Sequence, residues 1–166
     1  MALSDDPERG VYRSILVPLD GSELAECVLP HLHALIRPGQ TRVHLLSVLT
    51  TGLGDRTVAL LTTYPPGLQL SATALARAQV EVRAYLQAVA ARVRGWGATV
   101  RYEIREGNPA EEILRYAEGE GIDLILMSTH GLSGFSRWVY GSVADRVLRG
   151  ASCPVLLVRP QPPGRE

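Results

Sequence analysis

Two short segments in the second half of the chain carry residue types that suit phosphate. The first, Met127-Ser-Thr-His-Gly131, places a glycine turn directly after a strongly apolar stretch. The second, Gly141-Ser142, follows after nine residues and opens a predicted helix, Ser142–Gly150. A helix N-terminus presents unpaired N–H groups and a partial positive charge, and glycine lets a phosphate approach the backbone closely. Together, in this order and at this separation, the two segments predict a nucleotide site.

A third candidate group is the carboxylate of Asp20, which ends the first apolar stretch of the chain. Asp20 could accept a hydrogen bond from a ribose hydroxyl or from the edge of adenine, or it could cap the helix predicted to begin near Ser22. Ser142 has a similar alternative, because Ser142 and Asp145 fit a capping-box-like pattern with serine as the N-cap. The two roles of Ser142 are compatible if backbone N–H groups, including that of Val143, hold the phosphate.

His130 lies inside the glycine loop and carries a side chain that titrates near neutral pH. A catalytic base must act on a nucleophile or a water molecule, and the sequence pairs His130 with no nucleophile. We therefore expect His130 to contact the nucleotide rather than to act as a catalytic residue.

Composition and charge exclude several classes of function. The 166 residues carry 17 basic and 17 acidic side chains, so no electrostatic footprint for nucleic acid or an anionic membrane is present. All the basic residues are arginine, which excludes a Walker A phosphate loop and lysine Schiff-base chemistry. No run approaches the roughly 18 apolar residues of a membrane span, and the polar start lacks a signal-peptide apolar region. Cys27 and Cys153 form no paired motif, so a cytoplasmic chain with two unpaired thiols is expected.

Apolar runs alternate with helical patterns along one predicted domain, residues 13–160. The predicted strands are Ser14–Leu19, Arg42–Leu49, Thr99–Arg105, Asp123–Ser128 and Val155–Val158. The predicted helices are Ser22–Arg37, Ser71–Gly95, a short helix that starts at Pro109, and Ser142–Gly150. We expect a flexible N-terminal segment at 1–12 and a disordered tail at 161–166. The long loop 50–70 is either a disordered insertion or a lid or partner surface near the nucleotide.

Strands separated by helices predict an α/β fold with a five-stranded parallel open sheet, because parallel strands need crossover connections. Near-continuous apolar strands agree with a sheet that helices cover on both faces. In such a sheet, ligands bind beyond the carboxyl ends of the strands, where the winding reverses. Polar and glycine residues follow the first and fourth strands, at Asp20-Gly21 and Ser128–Gly131. They flank the reversal point if these two strands are neighbours.

Four segments carry a family resemblance: Ile15-Leu-Val-Pro-Leu-Asp-Gly-Ser22, Met127-Ser-Thr-His-Gly131, Gly141-Ser-Val-Ala-Asp-Arg-Val-Leu148 and Cys153-Pro-Val-Leu-Leu-Val158. Together they resemble the universal stress protein family, over Ser14–Arg159. The pattern of the ATP-binding members is G-x-x-G, nine residues, then G-[ST]. This chain has Ser128-x-x-Gly131, nine residues, then Gly141-Ser142. Only the first glycine of the pattern departs, and another small residue, serine, replaces it.

The resemblance implies the strand order 3-2-1-4-5. In one branch of the family it also implies bound ATP, or a related adenine nucleotide such as AMP or ADP, with Mg²⁺ carried by the phosphates. Backbone groups of Val48 are then expected to meet adenine, with Met127 beside it. The complete set of residues expected to contact the nucleotide is Pro18, Leu19, Asp20, Val48, Met127, Ser128, His130, Gly131, Gly141, Ser142 and Val143, with no catalytic residue and no metal site formed by the protein.

The resemblance also implies dimers, a role in stress survival and at most slow hydrolysis. The leading hypothesis is a regulatory module that binds ATP and reports nucleotide state to an unidentified protein partner. The alternatives are a slow ATPase, a nucleotide-free dimeric scaffold in which Ser128 blocks the site, and a flavodoxin-like electron carrier. Against an ATPase, no lysine, arginine-finger motif or acidic metal pair follows the phosphate loop. Against an electron carrier, the chain has one Phe and no Trp near the first glycine turn to stack a flavin.

The last predicted strand, Val155–Val158, lies at an edge of the sheet in the family order. Edge strands are normally short, charged or covered, because an exposed edge invites pairing. This strand is apolar at four successive positions and is bounded by Pro154 and Pro160, with Arg159 as its only charge. It predicts a homodimer through Val155–Val158 about a two-fold axis, unless residues 50–69 or the tail cover the edge within one chain.

Overall fold

The computed structural model describes residues 12–50, 72–129 and 141–160. Its strands are β1 (Ser14–Pro18), β2 (Arg42–Leu49), β3 (Thr99–Glu106), β4 (Leu124–Ser128) and β5 (Val155–Val158). Its helices are α1 (Glu23–Glu26), α2 (Leu29–Leu35), α3 (Ala72–Arg94), α4 (Pro109–Gly119) and α5 (Ser142–Gly150). The predictions of a flexible start, a long loop after β2 and a disordered tail lie outside the described residues.

The five strands form one parallel sheet in the order β3-β2-β1-β4-β5. This order confirms the predicted fold. From β1 the chain winds outward through β2 to β3, and it then returns to the other side of β1 as β4. β1 and β4 pair directly, with Ile15 opposite Leu124 and Leu16 opposite Ile125. The reversal point of the sheet therefore lies between the carboxyl ends of these two strands.

Helices cover both faces of the sheet, and each face has its own apolar cluster. On one face, inward side chains of β1 and β2 pack with residues of α2 and α3 such as Leu29 and Leu86, both fully buried. On the other face, Leu16 and Ile125 pack with residues of α4 and α5, among them Val147. Burial on both faces explains why β1 and β4 read as continuous apolar runs rather than as alternating ones.

The single helix predicted over Ser22–Arg37 was wrong, because two helices, α1 and α2, occupy this stretch. Pro30 lies in the first turn of α2. Proline has no N–H to donate to the carbonyl four residues earlier, that of Glu26, and its ring clashes with that carbonyl. The helix therefore ends at Glu26 and a new one begins at Leu29, where proline is tolerated.

The other helices follow the predicted patterns closely. Pro109 occupies the first turn of α4, as predicted, and the preceding Asn108 caps the helix by accepting from the N–H groups of Ala110 and Glu111 at 3.1 and 3.3 Å. α3 runs within one residue of its predicted bounds at each end. In the described residues, no helix is long and apolar enough to cross a membrane.

The two edges of the sheet differ in length and polarity. β3 has eight residues and carries charged side chains on its exposed positions, whereas β5 has four apolar residues. Leu156 of β5 is 40% exposed, but Val158 is 8% exposed and belongs to the core. The predicted edge position of Val155–Val158 is confirmed, and only part of that strand faces outward.

Candidate functional site

The turn after β1 holds the carboxylate of Asp20 by a local set of hydrogen bonds. The backbone N–H and the hydroxyl of Ser22 both donate to Asp20 Oδ1, at 3.0 and 2.6 Å. The Ser22 hydroxyl oxygen also accepts from the backbone N–H of Ala25 at 3.0 Å and so caps α1. Ser22, and not Asp20, is therefore the N-cap of α1. Asp20 supports that cap from two residues earlier in the chain. Gly21 completes the turn with φ +83°, a conformation that side chains other than glycine rarely adopt.

β2 fixes the residue that precedes this turn. The backbone N–H of Leu19 donates to the carbonyl of Leu46 at 2.8 Å, and the hydroxyl of Ser47 donates to the carbonyl of Leu19 at 2.6 Å. Ser47 is 4% exposed, so its hydroxyl makes this bond in the interior. The backbone N–H and the carbonyl of Leu19, the residue directly before Asp20, are thus both bonded to β2.

A backbone hydrogen bond joins the two segments that the sequence predicts to bind phosphate. The N–H of Gly141 donates to the carbonyl of Thr129 at 2.8 Å, and the N–H of Thr129 donates to the carbonyl of Val158 at 2.8 Å. The start of α5 is therefore attached to the end of β4, although residues 130–140 separate them in the chain. The described ends of the two segments, Thr129 and Gly141, therefore lie next to each other.

α5 spans Ser142–Gly150, as predicted, but its N-cap lies one residue earlier than the capping-box-like pattern indicated. Gly141 is the N-cap and Ser142 is the first helical residue, so the predicted capping role of Ser142 was wrong. In the described residues, no side chain caps this helix, and Asp145 instead pairs with Arg149 one turn later, at 2.9 Å. Glycine is an acceptable N-cap because its backbone reaches the required conformation without strain. The first N–H groups of α5 have no partner within the helix and suit an anion.

Three of the residues predicted to contact the nucleotide lie on the same face of the sheet. Met127 belongs to the apolar cluster under α4 and α5, and Val48 packs against that cluster while remaining half-buried. Strand alternation places Pro18 on this face as well, two residues after the buried Leu16. Leu19, in contrast, is 3% exposed and belongs to the cluster on the opposite face. Any contact between Leu19 and a ligand would therefore be made by its backbone, because its side chain is part of the core.

The remaining predicted site residues divide into those the structure describes and those it does not. Ser128 ends β4 and is 9% exposed, while Ser142 is exposed and Val143 half-buried at the start of α5. His130 and Gly131 lie outside the described residues. Sequence reasoning missed Ser22 and Ser47 as residues of this region, although Asp20-Gly21-Ser22 carries the local signature of a turn that leads into a helix cap.

The carboxylates of Asp20 and Glu26 both act on the hydroxyl of Tyr85, a residue of α3. Burial raises the pKa of the Tyr85 hydroxyl well above its usual range, and the carboxylates of Glu26 and Asp20 raise it further. Tyr85 is therefore an un-ionised neighbour of two carboxylates at neutral pH. Within the described residues, no group of three His, Cys, Asp or Glu side chains is arranged to hold a metal ion.

The strand order and the polar groups at its reversal point define the class of this protein. It is a doubly wound parallel α/β protein whose candidate site combines an aspartate turn after β1 with a helix N-terminus after β4 that no described side chain caps.

The chain matches the universal stress protein family over residues 11–159 and belongs to it. Universal stress protein MJ0531 of Methanocaldococcus jannaschii is 31% identical over 149 residues, which make up 90% of this chain and 83% of the relative. The solved structure of MJ0577, from the same archaeon, aligns over 91% of this chain and 98% of its own, with 28% identity and a TM-score of 0.77. A universal stress protein of Archaeoglobus fulgidus, solved in complex with dAMP, shares the fold with a TM-score of 0.61 at 21% identity, over 89% of this chain and 98% of its own.

Proposed function

We propose that this protein binds adenine nucleotide, ATP in the first place, at the carboxyl ends of β1 and β4, and that it acts as a stress-response regulatory module. The observation that carries the proposal is the hydrogen bond between Gly141 and Thr129. It brings the start of α5, which no described side chain caps, to the end of the strand that pairs with β1. We propose that this helix N-terminus binds the phosphates and that the Asp20 carboxylate binds the ribose of the same nucleotide.

Each part of the nucleotide has a candidate partner in this arrangement. We assign the phosphates to the backbone N–H groups of Ser142 and Val143, with Gly141 allowing close approach. We assign a ribose hydroxyl to Asp20 and the adenine to backbone groups of Val48. Pro18, Met127 and Ser128 would complete the walls of the cleft, together with His130 and Gly131 from outside the described residues. The A. fulgidus relative solved with dAMP supports an adenine nucleotide as the ligand class.

The side chains support Mg²⁺ binding and ATP hydrolysis less than they support nucleotide binding. The described residues include no cluster of His, Cys, Asp or Glu side chains for a metal, so we propose that a Mg²⁺ ion arrives on the phosphate oxygens, with the hydroxyl of Ser142 as a candidate ligand at the helix start. Catalysis of phosphoryl transfer needs groups that stabilise the developing charge and orient the nucleophile. The chain contains no lysine for that role. We therefore propose a binding protein, with slow ATP hydrolysis as the most that this site supports.

The direct test is ligand release combined with thermal unfolding. Mass spectrometry of the purified, denatured protein is expected to detect an adenine nucleotide. ATP with Mg²⁺ at about 100 times its dissociation constant should add about 2.7 kcal/mol to the free energy of unfolding. GTP at the same concentration is the matched control for base selectivity. A ligand-free sample whose melting temperature is unmoved by millimolar ATP would favour the nucleotide-free dimeric scaffold instead.

We also propose a homodimer through Val155–Val158. β5 is a sheet edge with apolar residues, and Leu156 is 40% exposed on it. Pairing with a second copy about a two-fold axis would cover the exposed leucine and the open backbone groups of the strand. The partner that receives the nucleotide signal is a further protein, which the chemistry of this chain does not identify. We place the protein in the cytoplasm, where its two free cysteines would remain reduced.

The dimer is tested by Leu156→Lys, because Val158 is a core residue whose replacement would also weaken the fold. Leu156→Lys is expected to shift the protein from dimer to monomer in light scattering at micromolar concentration. Val80→Lys places the same charge on α3, at an apolar residue that is 68% exposed, and should leave the dimer intact. A parent protein that is already monomeric at that concentration would refute the proposal.

A further inference from the structure

We propose that two serine hydroxyls, those of Ser22 and Ser47, are positioning residues that hold the carboxylate of Asp20 for a ribose hydroxyl. The inference rests on the proposed nucleotide-binding function and adds how the site recognises the sugar. Neither serine belongs to the residues assigned to the nucleotide above. They come from different elements, the cap of α1 and the end of β2, and they act on adjacent residues, Asp20 and Leu19.

Ser22 fixes the side chain of Asp20. Its N–H and its hydroxyl both end on Oδ1, at 3.0 and 2.6 Å, so two donors from one residue set the rotation of the carboxylate. Among the residues that the structure describes, the donors of this turn reach Oδ1 and none reaches the second carboxylate oxygen, Oδ2. A carboxylate accepts several hydrogen bonds, and an oxygen that stays outside the turn can accept one from a ligand. Ser22 is itself 6% exposed and is held by the N–H of Ala25, so the donor hydroxyl has a defined position.

Ser47 fixes the backbone from which Asp20 projects. Its buried hydroxyl donates to the Leu19 carbonyl at 2.6 Å, and the Leu46 carbonyl accepts from the Leu19 N–H at 2.8 Å. These bonds attach the last residue before Asp20 to β2, the strand that also carries Val48. The distance between the proposed ribose group and the proposed adenine group is thereby set through one strand rather than through a flexible loop. A preorganised acceptor loses less conformational entropy when the ligand binds.

The role predicts a change in sugar recognition, which a purely structural role would not produce. The readout is the ratio of the dissociation constants for 2′,3′-dideoxy-ATP and ATP, measured by isothermal titration calorimetry. The parent is expected to prefer ATP by about 10-fold or more, the scale of a hydrogen bond to a charged group. Ser22→Gly and Ser47→Ala should each lower this ratio by about threefold or more, with weaker ATP binding and little change for the dideoxy nucleotide.

Control variants separate positioning from stability. Ser22→Gly removes the hydroxyl but keeps a residue that is acceptable as an N-cap. Ser22→Thr keeps the hydroxyl and should restore the parental ratio. Thr41→Val removes another buried hydroxyl, which accepts from the N–H of Arg37 at 2.9 Å before β2 begins, at the opposite end of the sheet. It should lower the melting temperature without changing the ratio.

A double-mutant cycle tests whether the serines act through Asp20. In a chain that already carries Asp20→Ala, Ser22→Gly and Ser47→Ala should have no further effect on ATP affinity. A parent that binds ATP, but whose sugar preference survives both serine changes, overturns this inference and leaves the proposed function standing. Serine effects that persist in the Asp20→Ala chain also overturn it. A parent that binds neither nucleotide overturns the proposed function and this inference together.

Discussion

The central pair of strands carries one aspartate at each end, Asp123 before β4 and Asp20 after β1. Both oxygens of Asp123 accept backbone N–H groups: Oδ2 accepts from Arg13 at 2.8 Å, and Oδ1 accepts from Ser14 at 3.0 Å. In the described part of the chain, the turn at Asp20 occupies Oδ1 alone, through Ser22. The same residue type thus joins two strands at the amino end, whereas at the carboxyl end it keeps an oxygen outside its own turn.

Other polar groups repeat this contrast between the two ends. Near the amino end, the buried His44 ring lies between two hydroxyls, with Nε2 at 3.3 Å from Ser14 Oγ and Nδ1 at 2.9 Å from Tyr116 Oη. At the carboxyl end, no described side chain caps α5, whose N-cap is Gly141. Polar groups that satisfy one another stabilise the fold, and those left open are available to a ligand. Changes at the amino end should therefore alter stability, and changes at the carboxyl end should alter binding.

The largest expected effect is at the start of α5. Gly141→Val should weaken ATP binding by at least about 100-fold, because the added side chain occupies the approach path of the phosphate. Isothermal titration calorimetry measures the loss, and circular dichroism checks the fold. Gly119→Val is the matched control, since a Cβ at that helical position would meet no atom within 4 Å. Parental affinity in a folded Gly141→Val protein would move the phosphate site elsewhere.

Asp123→Ala should lower the stability of the fold and leave ATP binding nearly unchanged. The change removes the acceptor for the N–H groups of Arg13 and Ser14, the second of which belongs to a buried residue. Unpaired buried donors and a lost charged acceptor should lower the free energy of unfolding by about 2–4 kcal/mol. Urea unfolding measures this loss, and ATP affinity under native conditions should stay within about twofold of the parent. A binding loss as large as that from Gly141→Val would break the contrast between the two ends.

Asp20→Ala should reduce ATP affinity by roughly 1–3 kcal/mol, the scale for a lost hydrogen bond to a charged group. Its effect on the free energy of unfolding should be smaller than that of Asp123→Ala, because Ser22 still caps α1 through Ala25. Calorimetric titration and urea unfolding on the same samples separate the two quantities. If Asp20 served mainly the helix cap, Asp20→Ala would instead cause a large loss of stability and leave the ATP affinity unchanged.

The smallest effect concerns acid pH. Burial lowers the pKa of His44 below its ordinary value, with the nearby Arg101 and Arg42 acting in the same direction and Glu120 and Glu103 opposing them. The unfolded chain therefore binds a proton at higher pH than the folded one does. Stability from this group is complete above about pH 6.5 and is lost as the pH falls through the folded pKa, by at most about 1.4 kcal/mol per pH unit.

His44→Gln replaces the ring with an amide that does not titrate in this range. Between pH 6.5 and the onset of acid unfolding, the free energy of unfolding should then depend less steeply on pH. The slope should fall by at most about 1.4 kcal/mol per pH unit, which corresponds to one bound proton. Urea unfolding at a series of pH values measures that slope. Equal slopes in the parent and in His44→Gln would show that other groups govern the acid sensitivity of the amino end.

Local sequence patterns determined the elements and, with the family resemblance, the order of the sheet. Apolar runs, helical periodicity and turn residues act over a few neighbouring residues, so the five strands and the helix start at Pro109 could be predicted directly. The break between α1 and α2 also has a local cause, Pro30. The regular apolar spacing across Ser22–Arg37 nevertheless led to the prediction of one continuous helix. Gly141 displaced Ser142 as the N-cap for a similar reason, because both residue types are suitable there.

Only the tertiary structure decided which polar groups meet. The bond from Ser47 to Leu19 spans 28 residues, and the contact between His44 and Tyr116 spans 72. Each requires a particular strand register and a side chain on the correct face, and a shift by one residue would reverse that face. The sequence by itself therefore determined the fold and named Asp20 and Gly141 as candidates. The pairing of β1 with β2 decided that the residue before Asp20 is held by Ser47, and the hydrogen bond from Gly141 to Thr129 attached the start of α5 to the end of β4, because those contacts form only when distant segments are packed together.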